Sequence, residues 1–345
     1  MNKIKSLIYS FILGVMNLPN FLFNLIFLFT RKKKIFLFDA PYHGNLGDQA
    51  IALAEHNYFR DTLPDYLIIE VDNITDRFLK TCKCLVNEED VIVLHGGGNF
   101  GDEYIEGEYI RHFICKQYPK NKIYIFPQTV FYKNKEFEER SLQEYRKYGN
   151  LKIFVRERES YEHLTKMNMK NVFLVPDIVF YLFPLPFKSE NRNKCLLCMR
   201  SDNEVNLSSA SKQKLKSDIS NYYETVEIDT VINRIISPQL RKFYVYRHLK
   251  LFSTKELVIT DRLHGMIFAA ITRTPCIVFG NYNHKIKSTY QTWIKNLNYV
   301  VFLENVSDLK ATIERLNKIE IKNYEDLINT KNVLRKNIAL NKARK

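Results

Sequence analysis

Thr260-Asp261-Arg262-Leu263-His264-Gly265-Met266-Ile267-Phe268-Ala269-Ala270 is the stretch on which the reading of this chain turns. It follows the β-rich run Leu257-Val258-Ile259 and leads into an apolar segment that reads as a buried helix. Strand, tight turn and helix form the unit that sets polar side chains at the carboxyl edge of a parallel sheet, where open α/β folds bind ligands. This turn carries Asp261, Arg262, His264 and Gly265 together. Arginine offers a fixed fork of donors for phosphate or carboxylate. Histidine exchanges a proton near neutral pH, and the N-terminus of a helix attracts an anion. A purely structural use, with Asp261 as a cap, Arg262 as its ion-pair partner and His264 as a packed ring, accounts for this stretch taken alone.

Two more turns of the same kind lie upstream. Ile35-Phe36-Leu37-Phe38 reads as a strand entering Pro41-Tyr42-His43-Gly44-Asn45-Leu46-Gly47-Asp48, with a helical pattern after it. Gly44 and Gly47 let this turn bring backbone close to a ligand, and Asn45 and Asp48 are placed to line it. Val91-Ile92-Val93-Leu94 enters His95-Gly96-Gly97-Gly98-Asn99-Phe100-Gly101-Asp102. Gly96, Gly98 and Gly101 formally fit the dinucleotide fingerprint. Two features exclude it: the next strand ends without an acidic residue for a ribose, and Asp102, Glu103, Glu106 and Glu108 crowd the pyrophosphate position. Consecutive glycines at a strand end still mean backbone close to something, which makes Gly96, Gly97, Gly98 and Asn99 binding candidates.

Further strands read at Ile123–Phe126, at Ile153-Phe154-Val155 ending in Arg156-Glu157-Arg158-Glu159-Ser160, and at Val172–Val175 before Pro176-Asp177. Strands alternating with helices over short connections describe a doubly wound parallel sheet. The chain turns polar from about 187 to 193, as at a hinge, and a second αβ series follows. The expected layout is an apolar segment with a basic flank (1–34), two α/β domains (35–187 and 188–305), and a solvated helical basic tail (306–345).

A length of 345 residues suffices for two domains. The formal charge of +14 implies an anionic partner. No zinc-finger, helix-turn-helix or RNA-recognition signature is present, so nucleic acid is not expected. Cys195 and Cys198 stand three apart in a strand-like run and point to opposite faces, so they cannot chelate one ion. No metal site is expected.

Residues 6–30 carry no charge and are followed by Arg31-Lys32-Lys33-Lys34. The length permits a membrane span. Ser10, Gly14, Asn17, Asn20 and Asn24 draw a weak polar stripe at helical spacing, with Pro19 among them, which favours an in-plane helix or hairpin as much as a span. The basic flank favours the cytoplasmic side of a membrane for the rest of the chain.

Taken together, the ordered set HGNLGDQAI, HGGGNFGD, VRERES, the Pro-Asp at 176–177, TDRLHGMIFAA and YNHKIKSTYQTW resembles the polysaccharide pyruvyl transferase family, from about residue 36 to 295. The resemblance implies two Rossmann-like domains facing each other across a cleft, as in GT-B glycosyltransferases. It also implies transfer of the enolpyruvyl group of phosphoenolpyruvate onto two hydroxyls of one sugar as a cyclic ketal, with release of phosphate. The family's Arg and His fall on Arg262 and His264. Its strand-end Arg falls on Arg156, with Glu157 and Ser160 matching and Arg158 an extra charge.

The chemistry then suggests roles. Arg262 and Arg156 hold the phosphate and carboxylate of the donor, with Asp261, Gly265 and Lys285 beside them. His264 is the general acid that protonates the donor's methylene, and Asp48 or Asp102 takes the hydroxyl proton. No cofactor is called for beyond phosphoenolpyruvate as substrate. The expected acceptor is a bacterial surface-glycan or exopolysaccharide precursor, free or carried on a polyprenyl pyrophosphate at the membrane. The competing function is a GT-B glycosyltransferase using a nucleotide sugar, since fold does not decide function.

Overall fold

The computed structural model describes residues 15, 18–187, 192–200, 209–322, 325–338 and 340. It contains two parallel sheets with helices on both faces. The first is built from β1 (Lys34–Phe38), β2 (Leu67–Glu70), β3 (Val91–Leu94), β4 (Gly97–Phe100), β5 (Lys122–Val130), β6 (Leu151–Val155) and β7 (Val172–Leu174). The second is built from β8 (Cys195–Cys198), β9 (Thr225–Ile228), β10 (Leu257–Thr260), β11 (Cys276–Phe279) and β12 (Val300–Leu303). Central strands such as Ile35-Phe36-Leu37-Phe38 and Leu257-Val258-Ile259-Thr260 are buried throughout. That is why they read as unbroken apolar runs rather than alternating ones.

The order of the first sheet is β2-β1-β3-β5-β6-β7, with β4 paired to the far end of β5, and that of the second is β12-β11-β10-β8-β9. The direction of winding therefore reverses between β1 and β3 in one sheet and between β8 and β10 in the other. Loops leaving the carboxyl ends of strands at such a reversal diverge and leave a crevice. The four loops concerned carry His43–Asp48, His95–Asn99, Arg200 and Arg262–His264.

The helices are α1 (18–28), α2 (Leu46–Thr62), α3 (Asn73–Thr81), α4 (Ile105–Gln117), α5 (Lys135–Tyr145), α6 (Arg158–Lys166), α7 (Ser209–Ser220), α8 (Pro238–Ser253), α9 (Leu263–Thr272), α10 (Lys285–Thr289), α11 (Leu309–Leu316) and α12 (Glu325–Asn337). Outer faces of the sheets have separate cores, one containing Phe36, Ile92 and Ile125, the other Leu197, Ile259 and Ile277. Their inner faces share one core with α2, α8, α9 and α12. The domains are thus joined by apolar packing rather than touching only across a solvent gap.

Polar ties reinforce the junction. The Arg241 guanidinium of α8 donates both Nη atoms to Glu70, at 2.6 and 2.7 Å, and its Nε to Gln49 Oε1 at 2.8 Å. Burial opposes the charge on Glu70, but Arg241 and His56 hold its carboxyl well below the usual range. Backbone also crosses the junction, from Leu46 N to Thr230 O at 2.8 Å and from Ile232 N to Gly44 O at 2.9 Å.

Two expectations need correction. The described residues of the segment 306–345 do not form a solvated tail. Its α11 packs on the second sheet through Leu309, Ile313 and Leu316, and its α12 returns to the first domain. There Leu327, Leu334 and Ile338 are buried, and Lys331 Nζ donates to Phe183 O at 2.8 Å. The abundant Lys and Asn occupy the outer faces of these helices and masked the apolar positions between them.

The polar stripe of the N-terminal segment also points the other way. Asn20 and Asn24 face the protein, with Asn20 Nδ2 donating to Asp72 Oδ2 at 2.7 Å and Asn24 Nδ2 to Glu70 O at 3.0 Å. Ser10, Gly14 and Asn17 lie outside the described residues. Among the described residues no helix is long and apolar enough to cross a membrane. The described part of the 187–193 hinge is limited to Phe187, Arg192 and Asn193.

Candidate functional site

The four diverging loops enclose a cavity of about 470 Å³ between the domains. Its first-domain wall includes Asp39, His43, Gly44, Asn45, Asp48, His95, Gly96, Gly97, Gly98 and Asn99. Across from them stand Arg200, Thr230, Arg262, Leu263, His264 and Lys285, with Arg156 at the floor. Three arginines and a lysine converge here, each carried by a different loop or strand end, a suitable cradle for a ligand with more than one negative charge.

Arg156 is almost completely buried and fixed on several sides. Its Nε donates to Thr129 Oγ1 at 2.8 Å and its Nη1 to Asp177 Oδ2 at 2.9 Å. Glu157 accepts from Thr129 Oγ1 at 3.1 Å and from Ser160, while Ser160 Oγ accepts from Val130 N at 2.8 Å. The Arg-Glu-x-x-Ser pattern is therefore a brace: the glutamate and serine lock the strand end so that the arginine alone projects into the cleft. Arg158 lies exposed at the start of α6 and is absent from the lining.

Arg262 caps α9 and donates Nη2 to Asp229 Oδ2 at 2.6 Å. His264, one turn position on, stands 3.6 Å from Asp177 by its Nε2. Burial works against the Asp177 charge, but His264 and Arg156 hold the carboxyl well below its ordinary range. Asp177 thus links Arg156 and His264, the arginine and histidine of two motifs far apart in sequence. The first turn of α9, Leu263 and His264, lines the cleft, so the positive end of the helix faces the same space.

His95 has the arrangement expected of a proton-transferring group. Its Nδ1 lies 2.7 Å from Glu55 Oε2, both side chains are buried, and Glu55 Oε1 is pinned by Gly96 N at 2.9 Å. The His95 Nε2 has no hydrogen-bond partner among the described residues. Burial pushes against protonation, yet Glu55 raises the pKa above the usual value. Asp39, at φ 62° in the left-handed region, accepts from Asn99 Nδ2 at 3.1 Å, and burial raises its pKa with Arg111 opposing. Strained φ at a non-glycine strand end in a cleft is a mark of a functional position.

Several expected residues serve the scaffold. Asp102 accepts from Lys133 N at 2.8 Å and Asn134 N at 2.7 Å, and lies outside the cleft lining. Asp261 sits behind Arg200, accepting its backbone N–H at 2.7 Å. Gly265 packs on Thr260, where a Cβ would overlap Oγ1. Gly44, which also lines the cleft, and Gly47 make room for the protein: a Cβ would overlap the Ile232 carbonyl at the first and the His264 ring at the second. Asn45 caps α2, accepting from Gly47 N at 3.0 Å. Asp48 remains in the cleft, 3.7 Å from His43 Nε2. His95, Glu55, Asp39, Asp229 and Arg200 were not singled out in the sequence. Only His95 carried a local signal, as the residue that opens the triple-glycine turn.

The sequence pattern described as polysaccharide pyruvyl transferase matches residues 45–284 and so includes every lining residue of this cleft except Asp39, Pro41, His43, Gly44 and Lys285. The chain belongs to the polysaccharide pyruvyl transferase family. It is an enzyme of the pyruvyl transferase class, acting on glycans. General stress protein 30 of Bacillus subtilis is 33% identical over 302 residues, covering 85% of this chain and 88% of that protein. Pyruvyl transferase 1 of Schizosaccharomyces pombe is 29% identical over 289 residues, covering 77% and 71%. The protein KP1_0663 of Klebsiella pneumoniae has a similar fold at 20% identity, with a TM-score of 0.53, covering 87% of this chain and 98% of that one. The two-domain α/β architecture of this pyruvyl transferase is thus shared with that protein.

Proposed function

We propose that the cleft transfers the enolpyruvyl group of phosphoenolpyruvate to two hydroxyls of one sugar, forming a cyclic ketal and releasing phosphate. The observation that carries this reading is the convergence of Arg156, Arg200, Arg262 and Lys285 with two carboxylate-linked histidines in one cavity. Phosphoenolpyruvate presents a phosphate and a carboxylate, and Arg156 and Arg262, carried by different domains, take one each. His264 delivers a proton to the methylene carbon, which turns the enol carbon into an electrophile. The first sugar hydroxyl attacks that carbon and loses its proton to His95 Nε2. The C–O bond to phosphate then breaks, with the leaving phosphate taking the proton held on His95, and the second hydroxyl closes the ring as its proton returns to His264. His95 replaces Asp48 and Asp102 as the base in this scheme. The acceptor is a sugar of a surface-glycan or exopolysaccharide precursor.

The test is thermal unfolding with phosphoenolpyruvate, phosphate, UDP and GDP, followed by reaction of carbon-labelled phosphoenolpyruvate with sugars bearing adjacent free hydroxyls. Ligand at about 100 times its dissociation constant adds roughly 2.7 kcal/mol of stability. Stabilisation by phosphoenolpyruvate beyond that by phosphate, lost in Arg262→Ala, and a labelled quaternary ketal carbon are the expected results. Stabilisation by a nucleotide alone would replace this reading with a nucleotide-sugar glycosyltransferase.

A further inference from the structure

Helix α1 is amphipathic in the reverse of the usual sense. Asn20, Asn24 and Leu28 form its buried edge. Its outer face is apolar: Phe23 is 55% exposed, Ile26 69% and Phe29 68%, with Leu22 beside them. Such a row is costly in water. Directly after the helix, Arg31, Lys32 and Lys33 are exposed, with Lys33 Nζ 2.9 Å from Glu89 Oε2.

The apolar surface continues sideways. Phe21 packs edge-on against Phe78 of α3 at 5.5 Å, and Lys80 of α3 lies over Phe113 of α4 at 4.5 Å. On α4, Tyr109, Ile110 and Phe113 face outward at helical spacing and are exposed. The buried sides of all three helices meet one core, on the outer face of the first sheet, so their free sides look the same way.

Between α3 and α4 lies a second cavity of about 460 Å³, lined by Ala40, Tyr42, Val71, Ile110 and Phe113 among others. It shares Asp39 and His43 with the catalytic cleft. On its other side it reaches α1, since Tyr42 accepts from Asn20 Nδ2 at 3.1 Å.

We propose that the outer faces of α1 and α4, rimmed by Arg31, Lys32 and Lys33, dock this protein on an anionic membrane, with α1 lying in the plane of the headgroups. A bilayer satisfies both halves of the surface at once: apolar side chains enter the acyl boundary while the basic rim meets acidic headgroups. The cavity between α3 and α4 then opens at the membrane surface and leads to the cleft, so a lipid-carried acceptor presents its sugar without leaving the bilayer. That last step rests on the reading of the reaction above. The docking does not.

The experiment is co-sedimentation of the full chain with vesicles of phosphatidylcholine alone and of phosphatidylcholine mixed with phosphatidylglycerol, without donor or acceptor. Binding to the mixed vesicles, weakened by salt, is expected. Replacing Phe23 and Ile26 by Asp should weaken it about tenfold or more, and Lys32→Gln and Lys33→Gln about fivefold each. Thermal unfolding of these variants should match the parent, since the replaced side chains are exposed. Failure to bind mixed vesicles, binding indifferent to the outer-face substitutions, or a dimer that those substitutions dissolve would each overturn the proposal. None of these outcomes depends on whether the cleft transfers pyruvate.

Discussion

Glu55→Gln tests whether His95 is the base, because the structure contains its own reference for what a buried histidine does without a carboxylate. His248 is buried with only the distant charge of Asp229 to help it, and burial pushes it down to about 4. His95 is equally buried, yet Glu55 at 2.7 Å raises it above the usual value near 6.5. Removing the charge should therefore lower the His95 pKa, because burial then acts with less opposition. The sign is fixed by the role: a base must be neutral, so kcat/KM rises as pH climbs through its pKa, and the acid limb moves to lower pH in the variant. A second effect reduces the plateau. Gly96 N–H claims the amide oxygen as it claims Glu55 Oε1, which turns the amide NH2 toward His95 Nδ1. The ring then carries its proton on Nε2 and cannot accept another there while neutral. A wrong tautomer of this kind costs about 10²–10⁴ in kcat. The assay is phosphate release across pH with saturating acceptor, beside the Kd for phosphoenolpyruvate, which should change little. A variant with the parent's plateau and an unmoved acid limb would refute the assignment.

Gly47→Ala places a methyl group against the His264 ring. Displacing a reacting group by about 1 Å lowers turnover about 10²-fold, so kcat should fall far more than folding stability when both are measured. Arg241→Ala leaves Glu70 buried without its principal cation. Urea unfolding should show a loss of about 3–5 kcal/mol, and Glu70→Gln combined with it should cost much less than the sum of the two. Glu108 is buried, which opposes its charge, but His112 and Arg111 bring it down to about 2. Because its folded pKa lies below the unfolded one, its contribution is present above about pH 4.5 and is lost as pH falls toward 2. That contribution is about 3 kcal/mol, and Glu108→Gln should flatten the acid limb of the stability curve.

Much of the fold was legible because parallel strands buried on both faces are written as short apolar runs with turn residues after them. Val91–Leu94 and Leu257–Thr260 are of this kind, and their order alone separates two winding units. The helical pattern of α12 was legible, but its burial was not. Its exposed Lys and Asn outnumber Leu327, Leu334 and Ile338, and nothing local says that those three positions meet Tyr58 and Tyr181 more than 140 residues earlier. The stripe on α1 was visible, but its direction was not, because a polar stripe means solvent only when no buried acceptor waits for it. Asp72 and the Glu70 carbonyl are such acceptors, and they lie on another element.

The same distinction separates the site residues that were read from those that were missed. Arg156, Arg262 and His264 sit in turns where residue type and strand end coincide, so each announces itself locally. Asp177 was read after a strand end, within the ordered motif set, but with no role attached, and Glu55 lies within an ordinary amphipathic helix. Their roles exist only because the chain returns, bringing Asp177 between Arg156 and His264 and Glu55 under His95. The proposed substrate contacts Arg156, Arg262 and His264 are thus carried by motifs, while the groups that set charge and tautomer around them are carried by topology. It follows that replacing Asp177 by Asn should harm both arms at once, loosening Arg156 and removing the anion beside His264. Donor affinity and kcat should fall together, whereas loss of Glu55 acts on kcat alone. Equal, separate effects of the two substitutions on kcat, with donor affinity intact in both, would show that Asp177 does not couple the arginine to the histidine.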